Sequence, residues 1–494
     1  VVDTDVVVVG AGPVGLLLAC ELRLGGAEVT VLEQLPEPTG QSKALAVNLR
    51  SIQLLDRRGL LDRYLAARDE LGFAGFLDDK GHFAAVFGLD LAGLSEQLPG
   101  MLGLPQAHTE RLLAERAGEL GVRVERGWRL TGLAQDADGV TAQAGDRCLR
   151  ARYLVGCDGG RSTVRKTAGF AFPGTDAAMT ALVAEATLAD PDDAPLGWHR
   201  TPRGWVVIFP LPATPRVRLY TFRYDQPDPG RSPVTLDEVH ATVAEVLGRA
   251  VPLTAPTWLS RFTDTARQAA DYRMGRVLLA GDAAHVHSPF GGQGLNLGIV
   301  DAVNLGWKLA AVVRGSAPES LLDSYHAERH PVAAAVLDNT RAQVQLMHSS
   351  PRNDAVRSLL TELVALPAVN RLLAERISAV DVRYDLGGSH PLVGEFASDL
   401  EIVTEHGTTR LAELMRTGRP LLLDLGGGWT AEGWLDRVDL VVGRCRADLS
   451  GLLVRPDGHV AWAADGHSGE AELHSALTRW FGEPVWAVRA ANSA

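Results

Sequence analysis

The sequence predicts an α/β protein: a parallel-sheet domain interrupted by an antiparallel sheet, then a smaller α/β domain. Three observations carry this. Continuous β-branched runs flank an apolar helical stretch within residues 3–33, and the same buried texture returns in "GRVLLAGDAAH" at 275–285. Between about 172 and 270, segments such as "GWVVIFPLP" and "RVRLYTFRY" alternate apolar and polar residues between Pro and Gly. They read as an antiparallel sheet with one wet face. From roughly 395 onward, "PLLLDL", "VDLVVG", "GLLVRP" and "HVAWAA" alternate with helical stretches, the last over 469–481.

Each element has a local cause. "DTDVVVVGAG" is a strand buried on both faces, and "EVTVLE" is a second. "PVGLLLACELRLGG" between them is a helix with Pro13 in its first turn and glycines at its end, which completes a βαβ unit. Residues 50–66 and 109–120 read as helices, and 122–126, 128–135, 139–144 and 149–156 as short strands with "DADG" as a hairpin turn. Helices dominate 294–378, and the Gly/Pro-rich "DLGGSHPLVGEF" marks a boundary. The expected division is 1–171 with 271–390, an inserted 172–270, and 391–494.

A chain of 494 residues suits two or three domains, and 46% hydrophobic with 22% charged residues is a globular composition. The net charge of −12 comes from mixed acids and bases, which argues against a nucleic-acid partner because phosphate binding needs clustered Lys and Arg. Cys20, Cys148, Cys157 and Cys445 form no CxxC pair, and three lie in apolar stretches. Buried free thiols in a reducing cytoplasm are expected, not disulfides or metal ligands. No apolar run is expected to span a membrane, and the N-terminal Val6–Val9 run leads straight into a glycine turn rather than a cleavage site.

Gly10-Ala11-Gly12-Pro13-Val14-Gly15 fits G-x-G-x-x-G between strand and helix. Gly10 permits the tight turn, Gly12 lets a pyrophosphate approach the backbone, and Gly15 lets helix and strand pack closely. Exposed N–H groups at the positive end of the helix dipole attract the diphosphate. Glu33, followed by Gln34, ends the second strand where an acid accepts from an adenosine ribose, so FAD or NAD is favoured over NADP.

Two distant motifs select the nucleotide. "YLVGCDGGRSTVRK" sets Asp158-Gly159 after an apolar strand, with Arg161, Ser162 and Arg165 on a helix. "GRVLLAGDAAHVHSPFGGQGLNLGIVDAVNLGWKL" sets Gly281-Asp282 after another strand, then a turn with Gly291, Gly292 and Gly294, then a long helix from Leu295. Strand-end acids point into the ligand crevice of such a sheet, although both could serve as turn caps.

In order and spacing, over about residues 1–345, these motifs resemble those of the class A flavoprotein monooxygenases, the group of p-hydroxybenzoate and phenol hydroxylases. The resemblance implies a Rossmann-like FAD-binding domain whose inserted sheet roofs the substrate. It also implies that NAD(P)H serves as a transient co-substrate and that O2 is activated through a flavin hydroperoxide to hydroxylate an aromatic ring. It places Asp282 on the ribityl chain and the backbone of Gly294, Leu295 and Asn296 at the flavin edge, with Pro289 and Gly292 alongside. It further places Arg50 beside the cofactor and Gln106 on the flavin side chain. The chain departs from the family at Lys43, where many relatives have Arg, and at Gln53, where an acid is common.

No metal set completes His285 and His287, no G-x-S-x-G elbow is present, and no residue is assignable as substrate base. Trp205, Phe209, Tyr220 and Phe222 either line the pocket or form plain core. The C-terminal domain resembles the thioredoxin-like appendage of phenol hydroxylases and actinobacterial polyketide hydroxylases. Without a CxxC, its expected role is packing or homodimerisation. The overall texture is similar to hydroxylases of angucycline and anthracycline-type polyketides. Baeyer–Villiger insertion, antibiotic inactivation and a non-oxygenase FAD reductase are the alternatives on this scaffold.

Overall fold

A computed structural model describes residues 2–75, 77, 80–190, 195–224 and 232–486. Strand β1 (Thr4–Val9) lies at the centre of a parallel sheet, and its four valines are buried because strands flank it on both sides. It pairs in parallel with β2 (Val29–Glu33) and with Arg147–Gly156. Strand β2 pairs in parallel with Arg123–Arg126, and Arg147–Gly156 pairs in parallel with Val277–Leu279. The register sets Val9 opposite both Leu32 and Gly156, and Gly156 opposite Leu279. All three glycine-containing motifs therefore leave the sheet along one carboxyl edge.

The described helices are α1 (Pro13–Leu24), α2 (Leu49–Asp56), α3 (Leu61–Glu70), α4 (Gln106–Glu119), α5 (Thr163–Ala168), α6 (Leu236–Leu247), α7 (Gln293–Val313), α8 (Asp323–Met347), α9 (Pro351–Val364), α10 (Pro367–Ser378), α11 (Leu411–Leu414) and α12 (Glu470–Phe481). The helix expected over 50–66 is two, divided at Gly59, which adopts φ +66°. Helices α1 and α7 touch along a line of glycines. A Cβ on Gly25 would lie 2.4 Å from Ala310 Cβ, one on Gly306 2.3 Å from Glu21 Cβ, and one on Gly298 2.5 Å from Val14 Cγ2.

The antiparallel sheet has the spatial order Gly197–Thr201, Gly204–Pro210, Arg216–Arg223, Thr180–Leu188, Leu253–Thr263. The expected wet face is covered. Val239, Val243 and Val246 of α6 pack on Val206, Ile208, Val217 and Leu219. Alternation along a strand reveals two faces, but the covering helix comes from a different stretch of chain. The opposite face, with Trp205, Val207 and Phe222, packs toward Phe290, Met347, Leu373 and Ile377.

The C-terminal unit is a mixed four-stranded sheet in the order Asp439–Val442, Leu421–Asp424, Gly451–Val454, Val460–Ala464, with α12 against it. It shares a core with the first unit: the Phe481 and Trp307 rings lie 6.0 Å apart. Of the four cysteines, all free, only Cys20 is buried; Cys148 is exposed, and Cys157 and Cys445 are half-buried. Contrary to the sequence expectation, the stretch Phe290–Val313 is long and apolar enough to cross a membrane. In the fold it is a core helix, 94% buried.

Gly306→Ala should wedge α1 from α7 and cost about 1–3 kcal/mol of unfolding free energy. Urea unfolding curves will measure this, and an unchanged midpoint would refute the packing account.

Candidate functional site

The first turn is built by two crowded glycines and one open one. Gly10 has φ +109° and donates its N–H to Leu32 O at 2.7 Å, and a Cβ there would sit 2.5 Å from Cys157 O. A Cβ on Gly15 would sit 2.0 Å from Gly10 O. A Cβ on Gly12, in contrast, meets nothing within 4 Å. Gly12 is the N-cap of α1 and makes no side-chain cap, and Pro13 follows, so the helix start is uncovered. Val14 packs against the second turn, 3.0 Å from where a Gly281 Cβ would be. Glu33 is held at the end of β2: Oε2 accepts from Ala11 N at 2.8 Å and Oε1 from Leu35 N at 2.9 Å. Gln34 beside it is exposed.

The two strand-end acids differ. Asp158 caps α5, accepting from Ser162 Oγ at 2.5 Å and from the N–H groups of Thr163 and Val164 at 2.6 and 3.1 Å. This is the turn-cap role. Gly159, with φ +77°, lies next to it with open space over its Cα. Asp282 is exposed and makes no hydrogen bond or ion pair with the described residues. It follows Gly281, whose φ of +61° sets the turn.

The start of α7 is a third feature. Pro289 is exposed, and Gly291 and Gly292 take φ +79° and +64°. The N–H groups of Gln293, Gly294 and Leu295 in the first helical turn have no intrahelical acceptor. Asn296 braces this end, donating from Nδ2 to Gly292 O at 2.8 Å and accepting at Oδ1 from Asn48 N at 2.9 Å and Ser51 Oγ at 2.7 Å. His287 sits beside Gly294, its Nε2 3.6 Å from where a Cβ would be. Gln106 pins the chain near Lys43: its Oε1 accepts from Ala44 N at 3.2 Å, and its Nε2 donates to Glu110 at 2.8 Å. Arg50 is buried and engaged elsewhere, donating to Ala379 O, Val380 O and Gln53 Oε1 at 3.2, 3.3 and 2.8 Å, with its guanidinium 3.7 Å over the Phe396 ring.

An uncovered helix start, an unpartnered acid and a second free helix start line one sheet edge. This donor set fits a dinucleotide with a diphosphate, a polyol chain and an anionic ring edge. Comparison with known proteins agrees. Residues 3–340 match the FAD binding domain family and 390–484 the family of aromatic-ring hydroxylase C-terminal domains. The chain belongs to the class A FAD-dependent aromatic hydroxylases. A 12-dehydrotetracycline 5-monooxygenase/anhydrotetracycline 6-monooxygenase of Streptomyces rimosus is 47% identical over 509 residues, which is 97% of this chain and 99% of that protein. A rifampicin monooxygenase of Streptomyces venezuelae is 48% identical over 97% of this chain and 98% of its own. CabE, an aromatic hydroxylase from angucycline biosynthesis, superposes with a TM-score of 0.88 at 42% identity, covering 98% of this chain and 100% of that one. The chain is thus an FAD monooxygenase with NAD(P)H as co-substrate.

Sequence reasoning passed over the buried charges behind the Gly281 turn. Asp301, fully buried in α7, accepts at Oδ2 from Gly281 N at 3.1 Å and meets His285 Nε2 at 2.7 Å; its Oδ1 accepts from Arg329 Nε at 2.7 Å. Burial alone would raise its carboxyl, but Arg329 and His285 hold it down to about 2. His285 is therefore a core residue. Deeper still, Glu328 accepts from Arg455 NH1 and NH2 at 2.8 and 2.7 Å and from Lys308 Nζ at 2.8 Å. Arg455 Nε also donates to Asp457 at 3.1 Å. An acid in an apolar helix was the one available signal.

On the inner face of the antiparallel sheet, Trp205 and Phe222 are core, and the Trp205 indole donates to Met347 O at 2.6 Å. Phe209 and Tyr220 are half-buried at the edge of the same cluster. The Phe222 and Phe290 rings, 5.1 Å apart, join this wall to the turn before α7.

His459 stacks 4.2 Å from the Tyr384 ring, and burial, against the pull of Asp457, lowers its pKa to about 4. The unfolded chain takes up a proton near pH 6.5 that the folded state refuses, so stability falls as pH drops from about 6.5 to about 4. Relative to wild type, His459→Phe should gain about 1.4 kcal/mol for each pH unit lost in that window. Parallel pH curves from urea unfolding would refute the assignment.

Proposed function

We propose that this FAD monooxygenase hydroxylates a fused-ring aromatic polyketide. The carrying observation is the inner face of the antiparallel sheet, where Phe209, Tyr220, Phe222 and Phe262 form a continuous aromatic wall ending at Phe290. Such a wall suits a flat, multi-ring ligand. The names of the tetracycline and angucycline relatives support the same substrate class.

In this reading residues 1–171 and 271–390 hold FAD, 172–270 cover the substrate, and 391–494 complete the core. The α1 N-terminus at Gly10, Gly12, Pro13, Val14 and Gly15 faces the diphosphate, and Glu33, with Gln34 beside it, takes the ribose hydroxyls. Asp282 after Gly281 accepts from the ribityl chain. Asp158 and Gly159 order the neighbouring loop through the α5 cap, and Gln106 fixes the segment opposite. Arg50 acts through the carbonyls it ties rather than by touching the cofactor. The α7 start at Gly292, Gly294, Leu295 and Asn296, with Pro289 before it, stabilises negative charge on the ring edge without reorganisation. Bound FAD carries reducing equivalents from NAD(P)H to O2 and directs one oxygen atom to the aromatic ring. The protein orients the rings and excludes water.

The rifampicin monooxygenase relative favours one second reading, inactivation of an aromatic antibiotic on the same scaffold. Purified holoenzyme offered anhydrotetracycline, an angucyclinone and rifampicin separates the two. Coupled NAD(P)H oxidation and a product heavier by one oxygen atom should appear with the fused-ring phenols. Turnover of rifampicin alone would select the second reading, and no turnover of any would overturn both.

Gly12→Ala gives an independent check, because its Cβ meets no protein atom at an ordinary φ of −77°. The apoprotein should unfold at the wild-type temperature, while the FAD Kd rises on the order of tenfold or more. Wild-type FAD affinity would remove the diphosphate from α1.

A further inference from the structure

We infer that Asp301 is a positioning residue that aims Asp282 at the cofactor by holding the Gly281 turn from behind. The inference rests on the reading that Asp282 faces FAD. Gly281 takes φ +61° after the strand Val277–Leu279 has ended, so its N–H has no partner in the sheet. Asp301 Oδ2 accepts that N–H at 3.1 Å and, on the same oxygen, meets His285 at 2.7 Å. One carboxylate oxygen thus ties both ends of the five-residue stretch from Gly281 to His285, with Asp282 inside it.

The other oxygen is fixed as firmly. Arg329 Nε donates to Oδ1 at 2.7 Å, its NH1 donates to Tyr384 Oη at 3.1 Å, and its NH2 donates to Leu297 O at 3.2 Å. Asp301 and Arg329 are fully buried. Their pairing leaves the carboxylate no freedom to follow a different turn conformation. A buried pair of this kind adds little net stability, because desolvation offsets the attraction. What it supplies is a defined direction for the backbone N–H and, through it, for the exposed Asp282. The close seam between Gly298 and Gly281, whose Cα would lie 3.2 Å from a Gly298 Cβ, keeps α7 at the distance this bond needs.

The test is FAD affinity and the visible circular dichroism of bound flavin in the full chain, compared among three variants. Asp301→Asn keeps the shape and loses the charge, and should raise the FAD Kd ~10-fold or more with an altered flavin dichroism band. Glu328→Gln breaks the neighbouring buried cluster without touching the turn. It should lower the unfolding midpoint but leave both flavin readouts at wild-type values. Asp282→Ala reports on the underlying reading: if it leaves FAD affinity unchanged, the cofactor does not face this turn and both claims fall. If Asp282→Ala weakens binding and Asp301→Asn does not, only the present inference fails. Equal loosening by Glu328→Gln would also overturn it, since general softening would then explain the effect. Should Asp301→Asn not accumulate as folded protein, His285→Gln takes its place with the same readouts and the same deciding outcomes.

Discussion

Everything along the carboxyl edge of the parallel sheet depends on how closely α7 can lie on α1. The two helices start at the same sheet edge and offer their N-termini to the same space. Gly25, Gly298 and Gly306 remove the side chains that would hold them apart. A Cβ at any of the three would meet Ala310, Val14 or Glu21 at 2.3–2.5 Å. With the helices this close, Val14 of the first glycine turn touches Gly281 of the last. Residues nearly 270 positions apart in sequence thus become neighbours. The parallel register then brings Cys157 and Asp158 between them.

That geometry creates a polar problem. Turns at strand ends leave backbone N–H groups with no ladder partner, and a buried one costs free energy if left unpaired. The chain answers with acids. Glu33 takes the N–H groups of Ala11 and Leu35, Asp158 takes those of Thr163 and Val164, and Asp301 takes that of Gly281. Asp282 alone among these acids accepts from no described N–H group. A strand-end acid with every lone pair free is a stronger pointer to a ligand than one that, like Glu33, also ties its own turn.

The same contrast explains what could be read from the sequence. Gly10, Gly12, Gly15 and Glu33 were legible because their roles are local: turn, helix start and strand end lie within one βαβ unit. The parallel texture of the first and last glycine-turn strands and the α/β character of the C-terminal unit were legible for the same reason, whereas the strand order of either sheet was not. Asp301 was not, since its partners lie 20 and 28 residues away and its own surroundings read as an apolar helix. Arg50 was placed beside the cofactor by the family resemblance, yet the carbonyls it ties lie 329 and 330 residues on. The helix that covers the antiparallel sheet escaped because alternation in a strand says nothing about what packs on it. Cys148 shows the limit from the other side: the apolar, buried run of its strand lies toward Gly156, and the residue falls on the exposed, arginine-bearing start.

The C-terminal unit is tied into this arrangement by charge as well as by packing. Glu328 and Arg329 are consecutive on α8 yet serve two clusters. Arg329 faces Asp301 behind the Gly281 turn, and Glu328 faces Arg455, which the C-terminal unit supplies. Arg57, from the end of α2, donates to Ala397 O and, at 3.1 Å, to Gly458 O in the same unit. Arg455 and Asp457 of the C-terminal unit complete a buried cluster with Asn304 and Lys308 of α7 and Glu328 of α8. Truncating one member of such a cluster costs more than the pairing contributes, because it leaves a buried charge without its partner. Cys445, free and half-buried, is the one cysteine of this unit. What the unit contributes is the closing half of the buried charge cluster between α7 and α8, next to the Asp301–Arg329 pair that holds the Gly281 turn.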